Sequence, residues 1–173
     1  MIIVLMGYMG SGKSTVGKKL AYILEYNFID LDDLITEKES KSIADIFKTK
    51  GEIYFRKKET EYLKEVISSD SNTVLSLGGG TPCYGINLNI IKDSKNTKSF
   101  YLKTSLQELK KRLLPEMEKR PLISHLQGED EIIEFLGKHL FERAPFYSQS
   151  DFSITTDGKS KMEIVEEIVL SLV

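Results

Sequence analysis

The nine residues GYMGSGKST (7–15) have a spacing that could hold phosphate. They fit G-x-x-x-x-G-K-S/T, with Gly7, Gly12, Lys13 and Ser14 in the fixed places. Glycines let the backbone curl until successive N–H groups point inward at an anion, and the N-terminus of a following helix adds its positive end. In such a loop the lysine reaches the β and γ phosphates of a nucleotide, and the hydroxyl of the next residue ligates Mg²⁺. Gly10, Ser11, Gly12, Lys13, Ser14 and Thr15 are therefore the candidate nucleotide-binding set. A glycine turn with a chance lysine is the plain alternative, but an apolar run before the loop and an amphipathic one after it argue against that.

A second cluster lies at NFIDLDDLI (27–35), where Asp30, Asp32 and Asp33 sit among apolar side chains. If the chain is still extended there, Asp30 and Asp32 point to one side, roughly 6.5 Å apart. Two full charges at that distance repel by about 2.5 kcal/mol in an effective dielectric of about 20. A cation between them, or a proton on one, would relieve this. Asp30 could instead cap a helix, with Asp32 and Asp33 at its positive end. With a nucleotide site nearby, the Mg²⁺ that accompanies the phosphates becomes the natural cation. One carboxylate could then serve the metal while the other accepts a proton from an attacking hydroxyl. Asp33, on the opposite side, keeps the helix-terminus explanation.

These groups need a scaffold that gathers them. Strands are expected at 2–6, 27–30, 73–77, 99–103 and 151–155, all nearly continuously apolar or aromatic, as in strands covered on both faces. Helices are expected from Ser14 to Tyr26, from Gly51 to Ser69 with an apolar stripe at 55, 62, 63, 66 and 67, and around Val165, Ile168, Val169 and Leu172. Strand–helix alternation predicts a mainly parallel sheet between helical layers, with strand C-terminal ends and ligands sharing one edge. Two stretches break the pattern. Residues 31–61 read as an insertion building a second pocket wall. Residues 114–128, LPEMEKRPLISHLQG, read as a lid loop.

Composition removes other possibilities. A net charge of -2 over 173 residues gives no basic footprint for nucleic acid. No apolar run reaches membrane-spanning length, and MIIVLMG reads as a strand and not as a leader. One cysteine, Cys83, excludes an internal disulfide and suits a reducing cytoplasm; His125 and His139 lack metal-ligand spacing. The Asn-Lys-x-Asp sequence of guanine-specific proteins is absent, since NIIKD (89–93) has the wrong spacing. Kinase and ATP-driven switch remain open on these grounds.

GYMGSGKSTVGKKLA, FIDLDDLI, SIADIFKTKGEIYFRKKE, LGGGTP, KRPLI and ERAPFY stand in the order and approximate spacing of the shikimate kinases. The chain resembles that family from residue 3 to about 147. The resemblance implies a three-layer α/β/α P-loop kinase fold of the nucleoside-monophosphate-kinase kind, with a five-stranded parallel sheet in the order 2-3-1-4-5. It implies ATP as co-substrate with Mg²⁺ and shikimate as the partner; the length predicts one kinase domain over 1–173, and a monomer in the cytoplasm is expected. By the same resemblance, Asp30 assists the metal with Ser14, and Asp32 binds the ring hydroxyls and acts as base toward the 3-hydroxyl. Arg56 and Arg143 grip the substrate carboxylate, and Gly78, Gly79 and Gly80 lie against the ring. Lys13 and the lid residue Arg120 stabilise the transferring phosphoryl group, Arg112 stacks on adenine, and Lys159 lies along the adenine loop.

Each residue also has a plain structural reading. Arg56 could pair with Glu52 on a helix surface, Arg112 and Arg120 could be solvated charges, and the glycines could form an ordinary turn. Pro145 could kink the helix that bears Arg143. TPCYGIN after the glycines departs from the small apolar pair of the family pattern. A gluconate kinase or another small-molecule P-loop kinase is the rival enzyme, and a nucleotide-dependent regulator without turnover is the rival from another class.

Overall fold

In the computed structural model, which describes residues 1–173, IIVLM forms the central strand β1 (Ile2–Met6), buried at every position. Alternation sends Ile2, Val4 and Met6 into one apolar cluster and Ile3 and Leu5 into another on the opposite face. Both faces of the sheet are therefore covered, which is why its sequence is apolar without a break. β2 (Asn27–Asp30), β3 (Thr73–Ser76), β4 (Thr97–Lys103) and β5 (Phe152–Thr155) complete an all-parallel sheet in the order β2-β3-β1-β4-β5. The expected order is the observed one, and strand ends move by no more than two residues, at Thr97.

One face is covered by α1 (Lys13–Leu24) and α7 (Lys161–Ser171), which contribute Val16, Leu20, Ile164 and Ile168. Against the other pack α2 (Leu31–Glu39), α3 (Ile43–Ile67), α4 (Asn87–Asp93), α5 (Leu106–Leu113) and α6 (Gly128–Tyr147). No helix is long and apolar enough to cross a membrane.

The region between β2 and the long helix is more helical than its sequence suggests. Ser42 caps α3 through the Asp45 N–H at 3.1 Å, and Gly51 then interrupts the helix with φ 83° and ψ 171°. Residues without a Cβ tolerate that conformation best, so the break falls where the sequence pattern starts the helix. Residues 114–128 are also partly ordered. A 3₁₀ turn at Leu114–Lys119 is followed by Ile123, which is fully buried and fixes the segment to the core. α6 runs through Pro145 in its last turn to Tyr147.

Candidate active site

The phosphate loop leaves β1 at Gly7 and enters α1 at Lys13. Gly10 and Gly12 have φ of 80° and 93°, the left-handed conformation that turns peptide N–H groups toward one centre. Lys13 Nζ lies inside, donating to Gly7 O at 2.8 Å and Tyr8 O at 3.0 Å. Burial lowers its pKa to about 8, against the raising influence of Asp32 and Asp30. Ser11 Oγ in this loop is buried with no hydrogen-bond partner, 2.9 Å from where a Cβ at Gly7 would stand.

At the edge of the sheet, Asp30 fills two roles. Its Oδ1 accepts from the Asp32 N–H at 3.1 Å, capping α2, and its Oδ2 accepts from Ser14 Oγ at 2.6 Å. The extended geometry considered for Asp30 and Asp32 ends at Asp30, because α2 begins at Leu31. Asp32 therefore stands in the first helical turn and Asp33 is exposed beside it. Helix capping and the functional reading are thus compatible: the cap orients the turn that carries Asp32 inward. Burial first, then the charges of Asp30 and Glu59, push the Asp32 carboxyl up to about 6, despite Lys13 and Arg56. The Ser14 hydroxyl and Asp30 carboxylate offer hard oxygen donors at the phosphate end. Mg²⁺ takes few protein ligands and completes its shell with phosphate oxygens and water, so this pair fits it.

The acceptor end is organised on Gly78, Gly79 and Gly80, which follow β3. A Cβ at Gly78 would lie 2.9 Å from Asp32 Oδ1, and one at Gly79 3.3 Å from Arg143 Nη1. At Gly80 it would lie 3.1 Å from Arg56 Nη2 and 3.2 Å from Arg143 Nη2. The triple glycine is thus more than a turn: it lets one carboxylate and two guanidinium groups converge on the same backbone. Tyr147 O–H donates to Gly79 O and ties this loop to α6, the helix that carries Arg143.

Sequence reasoning missed Glu59. It is 1% exposed, accepts from Arg56 Nη1 at 2.8 Å, and accepts from Thr81 Oγ1 at 2.7 Å. It holds Arg56 inward, although Glu52 is the other carboxylate nearby, at 3.7 Å. The signal was present in the stripe at 55, 62, 63 and 66, where position 59 falls on the buried side and carries a carboxylate three residues from an arginine. Glu59→Ala is expected to destabilise the protein by roughly 3 kcal/mol, because it strands a guanidinium and a hydroxyl. Urea unfolding measures this, and a change below about 0.5 kcal/mol, the range of ordinary surface substitutions, would contradict it.

A cleft of about 830 Å³ runs along the phosphate loop past Asp30 and Asp32 to Gly78 and Gly79. Arg112, Arg120 and Lys159 line its other side, as does Glu116, which the sequence did not single out. Arg120 is paired with Glu116 through Nη2 at 2.6 Å and Nε at 3.0 Å. Arg112 donates to Gly10 O at 3.1 Å and to Glu108 at 2.9 Å, so it is tethered to the phosphate loop. Lys159 pairs with Glu167. Arg143 stands beside the phosphate loop, since a Cβ at Gly79 would meet its Nη1 at 3.3 Å and Met9 N at 3.4 Å, and Arg56 joins it at Gly80.

A phosphate cradle, a metal-compatible hydroxyl–carboxylate pair, a carboxylate near neutrality and two convergent guanidinium groups on a 2-3-1-4-5 sheet define a small-molecule kinase of the P-loop class. Within that class the chain belongs to the shikimate kinase family, whose sequence model matches residues 9–173. It is 47% identical to the shikimate kinase of Flavobacterium psychrophilum over 166 residues, covering 96% of this chain and 95% of that one. The crystal structure of shikimate kinase from Bacteroides thetaiotaomicron superposes with a TM-score of 0.89 at 34% identity, covering 99% of this chain and 98% of that one. Shikimate kinase from Acinetobacter baumannii, solved in complex with shikimate, gives a TM-score of 0.86 at 32% identity, with 99% and 92% covered.

Proposed function

We infer that the protein transfers the γ-phosphoryl group of ATP to the 3-hydroxyl of shikimate, giving 3-phosphoshikimate and ADP. The observation that carries this reading is the convergence of Asp32, Arg56 and Arg143 on Gly78–Gly80, beside a phosphate loop. Shikimate is a small ring acid. Guanidinium forks hold its carboxylate in a fixed orientation, as lysines would not.

In this reading the phosphate loop and Lys13 hold the nucleotide, and Arg56 and Arg143 fix the acceptor so that its 3-hydroxyl faces the γ-phosphorus. Asp32 takes the hydroxyl proton as the new P–O bond forms and the bond to ADP breaks. Its elevated pKa, about 6, suits a general base, being low enough to leave the group mostly ionised at pH 7 yet above that of an ordinary aspartate. Lys13 and Arg120 offset charge on the phosphoryl oxygens, and Arg112 and Lys159 border the base-binding end. Ser14 and Asp30 would hold Mg²⁺, which would supply charge neutralisation on the phosphates. Residues 31–61 form the acceptor wall, 114–128 the lid, and 1–173 one kinase domain. The catalytic unit in this reading is a monomer. The single free thiol supports a cytoplasmic site of action.

An acceptor panel tests the reading. With Mg²⁺ and ATP, ADP release is expected to need shikimate; equal stimulation by gluconate or a nucleoside monophosphate would point to the rival kinases. No stimulation by any acceptor, with ATP held tightly, would point to a regulator. Arg56→Ala is expected to raise KM for shikimate by about 100-fold, with KM for ATP changed by less than about threefold. The reverse split would contradict the assignment of Arg56 to the acceptor.

A further inference from the structure

We propose that Tyr84 is a positioning residue for the acceptor carboxylate, its ring holding the Arg56 guanidinium flat so that Nη2 meets the acid. The proposal rests on the reading of the function given above. The Arg56 Cζ atom lies 3.7 Å from the centre of the Tyr84 ring, closer than any other cation–ring pair in the protein. Phe55, the residue before Arg56, lies 5.1 Å from the same carbon. Glu59 occupies Nη1 at 2.8 Å. Nε is buried without a hydrogen-bond partner, with Glu52 Oε1 3.7 Å away, and Nη2 lies 3.1 Å from where a Cβ at Gly80 would stand. With Nη1 on Glu59 and Nε buried, Nη2 is the nitrogen left to meet an acid. Arg143 Nη2 reaches the same glycine, so the two arginines together offer a carboxylate more than one charged donor.

Tyr84 reaches this place because the glycine loop continues into the 3₁₀ turn Thr81–Cys83, after which Tyr84 returns to extended backbone (φ −116°, ψ 139°). Tyr84 is about one-third exposed, so its stacked face covers one side of Arg56 while part of the residue meets solvent. An aromatic face stabilises a planar cation laid against it. It also keeps water from that face, so hydrogen bonds from Nη2 form in a medium of lower dielectric. Glu59 fixes one nitrogen of the guanidinium but cannot by itself fix the plane; the stacked ring supplies that second constraint. A small side chain at this position would leave the Arg56 face open to water. Tyr84 acts through Arg56 and not on the transferring group, so its effect belongs in acceptor binding.

Steady-state kinetics of Tyr84→Leu and Tyr84→Phe test this, with thermal melts to establish folding. Tyr84→Leu is expected to raise KM for shikimate about tenfold, with kcat and KM for ATP within about twofold. Tyr84→Phe keeps the ring and is expected to stay within about twofold of the unsubstituted protein in all three. With the neutral carboxamide of shikimate as acceptor, the penalty of Tyr84→Leu is expected to shrink to less than about twofold, because the guanidinium has no carboxylate to receive. An equal penalty for acid and carboxamide, a loss in Tyr84→Phe as large as in Tyr84→Leu, or an equal rise in KM for ATP would overturn the proposal. Tyr84→Gln, of similar reach without a ring, replaces the leucine variant if that variant does not fold. Shikimate-dependent turnover by the unsubstituted protein together with an unchanged Tyr84→Leu overturns this inference alone. No such turnover by the unsubstituted protein overturns it along with the functional reading.

Discussion

Asp32→Asn is expected to lower kcat by about 10²–10⁴-fold while leaving ATP affinity nearly unchanged. Asparagine keeps the shape and can still hydrogen-bond a ring hydroxyl, but it cannot accept the proton. The same carboxylate predicts the pH dependence. Asp32 must be ionised to act as base, so kcat/KM for shikimate is expected to fall as pH drops through about 6. Its contribution to stability runs the other way. Its pKa is raised on folding from an ordinary 3.8 to about 6, so between those values the folded state holds more protons than the unfolded one. The contribution is fully present below pH 3.8 and is lost as pH rises through about 6. At neutral pH the unliganded protein therefore bears a penalty of up to about 3 kcal/mol at this position. Asp32→Asn is expected to raise the apparent Tm at pH 7 as it removes activity. Loss of activity together with an equal loss of stability at pH 7 would argue that Asp32 is only structural.

Arg120→Ala is expected to lower kcat by about 10³–10⁵-fold, the size of effect seen when an arginine that neutralises a transferring phosphoryl group is removed. In the unliganded protein this arginine is held by Glu116 at the wall of the cleft, four residues earlier in the chain. The pair is half exposed, so it is a weak hold that nucleotide phosphates outcompete. Single-turnover measurements separate the two possibilities. Slow phosphoryl transfer at saturating ATP supports a role in the chemical step. An intact rate with a raised KM for ATP would reduce Arg120 to a binding contact. Lysine at this position is expected to recover little, because it cannot present two parallel donors.

The nucleotide end is legible in the sequence because its parts are local. A short apolar strand, three glycines and a Lys-Ser pair within fifteen residues specify a conformation that needs little help from the rest of the chain. The sheet is legible for a similar reason, since strands buried on both faces must be apolar throughout. The acceptor end is different. Arg56, Glu59, Gly80, Tyr84 and Arg143 come from α3, the glycine loop and α6, and meet only after the chain folds. A carboxylate inside an apolar helical stripe hints at a buried partner, but nothing local says that the partner is Arg56 and not a neighbouring lysine. The Asp30–Asp32 geometry shows the same limit. Spacing brings the two together, yet it is the helix beginning at Leu31 that decides how they face, and Asp30 serves both as its cap and as a contact of Ser14. The 114–128 segment reads as a loop because prolines and polar residues dominate it, while one buried side chain, Ile123, pins it.

The central claim is that Asp32 faces the acceptor hydroxyl across the phosphoryl group, with Arg56 and Arg143 on the acid. A crystal structure with a non-hydrolysable ATP analogue, Mg²⁺ and shikimate tests it most directly. The account predicts an Asp32 oxygen about 2.6–3.2 Å from the 3-hydroxyl, with that hydroxyl directed at the γ-phosphorus. Shikimate bound with its 3-hydroxyl away from Asp32, or with its carboxylate free of both arginines, would contradict it.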